Sequence, residues 1–181
     1  MSGPRRLPGD PSARETVARM IRVDHAGEYG ARRIYRGQLA VLGRSRASTE
    51  IRRMADQEER HLEAFDRLLV QRRVRPTILS PLWHMAGFAL GAATAMLGER
   101  AAMACTAAVE EVIGEHYRRQ IEVLGDAEPE LTAAIAQFRN EEIEHRDLAL
   151  AHGAEQAPAY RALSKLIAAG TRFAIFLSER I

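Results

Sequence analysis

Glu58 and His61, and again Glu142 and His145, form Glu-x-x-His pairs at positions where a buried helix would ordinarily carry leucine. The first pair interrupts the series Ile51, Met54, Phe65, Leu68, and the second interrupts Leu131, Ile135, Phe138, Ala149. Both series advance by alternating steps of three and four, the spacing of a single helix face turned toward a core. Each pair therefore projects a carboxylate and an imidazole from neighbouring turns of one face. Burying such groups uncompensated costs several kcal/mol apiece, on the order of the penalty for lost hydration, and a metal ion is the economical compensation.

Two further stripes each carry one carboxylate. Ile21, Glu28, Ala31, Tyr35 and Leu39 form one, and Met103, Glu110, Ile113, Tyr117 and Leu124 form the other. Glu110 is in register with its stripe, whereas Glu111 is rotated away by about a hundred degrees. One Glu from each of two helices plus a Glu-x-x-His from each of two more is the ligand set of ferritin-like di-iron or di-manganese carboxylate bundles. The Glu28–Glu58 separation of 30 residues nearly repeats in the Glu110–Glu142 separation of 32, which reads as two helix pairs related by an approximate twofold. Mixed carboxylate and imidazole donors favour iron or manganese over zinc or copper. The single cysteine, Cys105, lies off the Glu110 face and reads as a packing residue; without a partner it also suits a reducing compartment. Glu141 and Glu144 are displaced from the stripe and are expected to be solvated or paired with arginine.

The elements that must position these residues follow from the same pattern. Ala, Arg, Glu and Leu dominate, breaks are few and no alternating β-branched run occurs, so the chain is expected to be all-α. Residues 1–12, MSGPRRLPGDPS, read as a flexible tail with no apolar signal segment, and residues 13–181 as one domain. Helices are predicted over about 14–42, 49–73, 78–97, 99–124, 129–152 and 158–178: four long helices of a bundle and two additional apolar, membrane-associating segments.

The whole chain has 181 residues, 46% of them hydrophobic, and a formal charge of +2, which excludes wholesale disorder and a disulfide scaffold. That charge is unevenly spread: residues 1–75 hold 17 Arg against 10 acidic groups, and residues 76–181 hold 9 basic against 14 acidic. A basic half suits an anionic membrane surface, or is simply a set of solvated helix faces; no nucleic-acid partner is expected.

Several stretches resemble the demethoxyubiquinone hydroxylase family: IRVDHAGEYGARRIYRGQLAVL around Glu28, RPTILSPLWHMAGFALGAATAMLG, AMACTAAVEEVIGEHYRRQI around Glu110, FRNEEIEHRDLAL around Glu142, and the closing APAYRALSKLIAAGTRFAIFLSERI. The resemblance runs from about Met20 to Ile181. It implies a di-iron monooxygenase of ubiquinone biosynthesis that uses O2 to hydroxylate C6 of 2-polyprenyl-3-methyl-6-methoxy-1,4-benzoquinol, one oxygen atom entering the ring and the other leaving as water. The family's metal ligands fall on Glu28, Glu58, His61, Glu110, Glu142 and His145, with Glu58, Glu110 or Glu142 as bridging carboxylates. It also implies that His116 and Tyr117 lie just outside the ligands, although His116 can equally be a polar-face histidine. Asp24 and Asp147 are candidates to bond the outer nitrogens of the two ligand histidines, the alternative for both being surface ion pairs. The resemblance implies electrons from outside, from NADH or from the quinol itself, and no G-x-G-x-x-G binds a nicotinamide independently.

Ile78 to Leu97 is long enough by count to span a bilayer, but spanning would separate the two halves of one metal site. This segment and Pro158 to Leu177, which carries Arg161, Lys165 and Arg172, read instead as a hydrophobic face lying in the membrane surface, with Trp83 as an interfacial anchor and core packing as the alternative. The expected location is peripheral, on the cytoplasmic face of the cell membrane or the matrix face of the inner mitochondrial membrane. Accessory proteins of ubiquinone biosynthesis and a homo-oligomer are expected partners. Two competing classes use the same ligands: iron oxidation, acyl desaturation or a tyrosyl radical on Tyr35 or Tyr117, and a metal-stapled membrane-docking protein without catalysis.

Overall fold

The computed structural model describes residues 10–181, so residues 1–9 of the tail expected over residues 1–12 lie outside it. Six α-helices account for most of the chain: α1 Ala13–Leu42, α2 Ser48–Arg72, α3 Ser80–Met96, α4 Glu99–Leu124, α5 Pro129–Ala151 and α6 Tyr160–Ser178, with a 3-10 turn at Ala154–Gln156. No strand occurs among the described residues.

Helix ends follow local chemistry. A capping box starts α1: the Glu15 N–H donates to Ser12 Oγ at 3.2 Å and the Ser12 N–H donates to Glu15 Oε2 at 2.7 Å. Pro129, whose missing N–H costs nothing in a first turn, opens α5. Between α3 and α4 the chain reverses through Gly98, whose φ of 107° is a conformation side chains disfavour.

The four long helices bury most of the residues in the stripes that the spacing selects, with Leu39 and Leu68 half-buried. On α5 these are Leu131, Ile135, Phe138, Glu142, His145 and Ala149, all buried. α1 packs against α2 and α3, while α4 packs against α5 and α6 and is buried along its entire first half, from Ala101 to Glu110. α2 meets α5 through side chains, because Gln57 and His61 reach Glu141 and His145. One apolar cluster gathers around Phe65, Tyr117, Ile135 and Phe138, and a second around Tyr35, Met54, Met103 and Ala149. The polar groups described below lie between their stripes.

α3 presses on α1 at glycines. A Cβ at Gly91 would collide with the Ile34 carbonyl, and one at Gly37 with the Phe88 carbonyl. No described helix is long and apolar enough to cross a membrane. α3 and α6 instead leave apolar side chains in the open: Met85 is 73% exposed, Leu166 73% and Phe173 61%. Trp83 Nε1 donates to Ser178 Oγ at 3.0 Å and so clasps α3 to the end of α6. An apolar cavity of about 440 Å³ lies between these two helices, with Gly27 and Gly30 of α1 and Val109 and Ile113 of α4 on its inner wall.

Candidate metal centre

Glu28, Glu58, His61, Glu110, Glu142 and His145 are each at most 2% exposed. α1 and α4 each contribute one carboxylate, and α2 and α5 each contribute a Glu-x-x-His. Their donor atoms converge as two overlapping groups, each with all atoms within 4.8 Å of one another: Glu28, Glu58, His61 and Glu142 form one, and Glu58, Glu110, Glu142 and His145 the other. Glu58 and Glu142 belong to both. Glu110 belongs to one group only.

Both histidines turn Nδ1 inward. His61 Nδ1 lies 3.2 Å from Glu28 Oε2 and 3.1 Å from Glu142 Oε1, and His145 Nδ1 lies 3.2 Å from oxygens of Glu58 and Glu142. Around His145 these are close approaches without hydrogen-bond alignment: its Nδ1, both oxygens of Glu58, both oxygens of Glu142 and Glu110 Oε2 are buried and make no hydrogen bond. So many inward lone pairs with no donor suit a cation, and hard oxygen with imidazole suits iron or manganese.

Without a cation, protons must supply the missing charge. Burial, then the charges of Glu142 and its neighbours, push Glu58 and Glu110 well above the usual carboxylate range. Burial opposes a charged His61, but contacts with Glu142 and Glu28 prevail and raise it to about 11. Burial likewise opposes an ionised Glu142, yet His145 and His61 hold it down to about 2.

The surrounding residues repeat the twofold pattern. Tyr35, seven residues after Glu28, donates to Glu110 Oε1 at 2.6 Å, and Tyr117, seven residues after Glu110, donates to Glu28 Oε1. Both tyrosines are buried, and burial first, then nearby carboxylates, raises both phenols well above their ordinary value. Outside the histidines, His61 Nε2 lies 3.0 Å from Glu141 Oε2 and His145 Nε2 lies 3.1 Å from Gln57 Oε1. Gln57 Nε2 in turn donates to Glu141 Oε2 at 3.3 Å.

These contacts revise the expected outer partners. Glu141 is not simply solvated or arginine-paired, since its Oε2 lies 3.0 Å from His61 Nε2 across from α2, with Arg60 farther off at 3.9 Å. Asp147 is 58% exposed and pairs with Arg146, the surface alternative. Asp24 is buried and touches neither ligand histidine; Gln120 Nε2 donates to its Oδ1 at 2.7 Å, and His116 Nε2 lies 3.3 Å away. Burial, offset in part by His116 and Gln120, raises Asp24 to about 6. His116 thus faces Asp24 and a polar cleft, while its neighbour Tyr117 touches Glu28. Spacing alone did not select Gln57; its signal is that it, like Glu141, immediately precedes a Glu-x-x-His. Cys105 is buried among apolar side chains, away from the donor groups.

Four helices that focus buried carboxylates and imidazoles on one point define an all-α protein with a centre able to hold metal ions. The chain belongs to the family described as ubiquinone biosynthesis protein COQ7, whose model matches residues 15–178. It is 59% identical over 177 residues to the 3-demethoxyubiquinol 3-hydroxylase of Rhodospirillum rubrum, an alignment covering 97% of this chain and 84% of that one. It is 56% identical over 176 residues to the human mitochondrial NADPH-dependent 3-demethoxyubiquinone 3-hydroxylase, covering 95% and 81%. With the mitochondrial 5-demethoxyubiquinone hydroxylase of Saccharomyces cerevisiae it shares 42% identity over 180 residues, covering 90% and 77%.

Proposed function

We propose that this protein is a 3-demethoxyubiquinol 3-hydroxylase of ubiquinone biosynthesis, a single ferritin-like unit over residues 13–181 that works with two iron ions. The observation that carries the proposal is the pair of overlapping donor groups sharing Glu58 and Glu142. Glu28 and His61 complete one ion's donors, and Glu110 and His145 the other's. When bound, the iron pair supplies the activation of O2 that an aromatic hydroxylation requires.

The remaining tasks fall to the protein. Tyr35 and Tyr117 orient Glu110 and Glu28 by donating to one oxygen of each, which leaves the second oxygen of Glu110 free and that of Glu28 facing His61 Nδ1. Gln57 and Glu141 fix the ring orientation of the two histidines from outside. The stripes of Phe65, Met54, Ile135 and Phe138 exclude water from the centre.

The substrate's polyprenyl tail suits the apolar cavity between α3 and α6, whose inner wall is built by neighbours in sequence of Glu28 and Glu110. Leu166 of its lining, with the exposed Met85 and Phe173 of the same two helices, forms an apolar surface suited to lie in a membrane, so that the quinol reaches the centre without crossing water. This supports a peripheral membrane protein, on the cytoplasmic face of the cell membrane or the matrix face of the inner mitochondrial membrane; eukaryotic relatives are named mitochondrial. Reduced nicotinamide dinucleotide is the proposed electron donor, as the name of the human relative suggests.

The test loads the chain with Fe(II) under anaerobic conditions, then adds demethoxyubiquinol in detergent, a chemical reductant and O2. Hydroxylated quinol, identified by mass spectrometry and absent with Glu58→Ala, is the expected result. Rapid iron oxidation with no product would instead assign the centre to iron handling.

A further inference from the structure

The two ion positions match in their ligands and in their tyrosines. Each donor group combines three carboxylates with one imidazole, and Tyr35 and Tyr117 make equivalent bonds to Glu110 and Glu28. The match fails one residue before each Glu-x-x-His. Gln57 and Glu141 are counterparts by that placement, yet one ends in a neutral amide and the other in a carboxylate.

Each reaches across to the histidine of the facing helix. Glu141 of α5 meets His61 Nε2 at 3.0 Å, and Gln57 of α2 meets His145 Nε2 at 3.1 Å through its amide oxygen. Both contacts place an acceptor on Nε2, so the ring proton stays there and Nδ1 keeps its lone pair for an ion. Glu141 is surrounded by donors: Gln57 Nε2 donates to its Oε2 at 3.3 Å, Gln137 Nε2 donates to its Oε1 at 3.0 Å, and Arg60 lies 3.9 Å away. A carboxylate offers no hydrogen, so Gln57 must turn its NH2 group toward Glu141 and its oxygen toward His145. One hydrogen-bonded chain therefore runs His61–Glu141–Gln57–His145, and its one carboxylate sits at the His61 end.

A carboxylate accepts a hydrogen bond more strongly than an amide does, and by drawing on the N–H it raises the basicity of the imidazole toward a metal. We propose that Glu141 is a positioning residue that ranks the two ion positions: the one completed by Glu28 and His61 holds its ion more tightly and fills first, and the one completed by Glu110 and His145 fills second. Gln57 passes on the orientation but not the charge. The inference rests on the two-ion reading above and adds an order to it. Because the inner donor sets are alike in type, that order comes from two residues outside both donor groups.

Mn(II) alone is the probe, added to the metal-free full chain. Calorimetry reads the two binding steps, and anomalous scattering from crystals holding one Mn(II) per chain reads which position is filled. In the parent protein the His61 position should carry most of that ion. Glu141→Gln keeps an oxygen for His61 and Gln57 and removes only the charge; it should weaken the first step by about tenfold, the low end of the usual loss for an outer partner, and spread the ion over both positions. Exchanging the two residues, Gln57→Glu together with Glu141→Gln, should make the His145 position fill first, an inversion that a merely structural role would not produce. Equal filling in the parent, or an exchange that leaves the occupancy unmoved, overturns the ranking even though two ions bind at saturation. A parent protein that takes up a single Mn(II) at saturation overturns the two-ion reading itself, and the ranking with it.

Discussion

Tyr35 and Tyr117 hold each other's carboxylate: each stands seven residues after one helix's glutamate and donates to the glutamate of the other, Tyr35 to Glu110 and Tyr117 to Glu28. The exchange ties α1 to α4 across the buried centre and leaves each glutamate one oxygen for an ion. Tyr35→Phe is expected to leave the fold intact, because only a hydroxyl is lost, and to free Glu110 to rotate. Metal retention against a chelator should fall by roughly ten- to a hundredfold, the usual cost of losing an orienting partner. Circular dichroism with metal analysis after dialysis checks both parts.

Glu58 and Glu110 differ in how many donor groups they join. Glu58→Ala should empty both positions, while Glu110→Ala should leave the position held by Glu28, Glu58, His61 and Glu142 occupied. Metal content per chain after identical loading distinguishes the two variants. Equal content would mean that Glu58 is not shared.

Metal uptake should release protons. His61, raised to about 11, carries a proton at neutral pH in the empty centre that it must lose to ligate, and Glu58 and Glu110, raised well above the usual carboxylate range by burial and then by Glu142, hold theirs to higher pH than free carboxylates do. Apparent affinity should therefore rise with pH. Calorimetry in two buffers of different ionisation enthalpy reads the proton count directly.

Asp24 makes the metal-free protein less stable as pH rises. Its value climbs from an ordinary 3.8 to about 6 on folding, so its contribution is fully present below 3.8 and is lost on the way up through 6. The span corresponds to about 3 kcal/mol. Asp24→Asn keeps an acceptor for Gln120 and should flatten this part of the profile, measured by thermal unfolding at a series of pH values.

The exposed residues of α3 and α6 provide a separate test. Replacing Met85, Leu166 and Phe173 with Ser should abolish flotation with lipid vesicles while the helical spectrum persists, since none of the three belongs to the buried core. Flotation that survives would place the membrane-facing surface elsewhere.

The sequence made the centre legible because helical geometry forces a buried ligand to occupy a core position, and Glu28, Glu58, His61, Glu110, Glu142 and His145 each break an apolar series at such a position. The helix boundaries were legible at Gly98, Gly125 and Pro129 for similarly local reasons. Glu141 was not. It sits off its stripe, and only the approach of α2 to α5, a long-range fact, turns it toward His61. Asp24 misled in the opposite direction: one turn from Glu28 it looks placed to support a ligand, but the packing of α4 gives it Gln120 and His116 instead.

The glycine contacts between α3 and α1 decide which side of the apolar cavity can yield. Backbone seated on backbone at Gly37 and Gly91 leaves α3 no compressible side chains through which to slide. α6 has no such anchor; it is fastened at its far end by the Trp83–Ser178 bond and begins at Ala159, a non-glycine residue with φ of 52°. Any widening of the apolar cavity would therefore have to come from α6, which packs on α4 and is tied at its end to Trp83, rather than from α3.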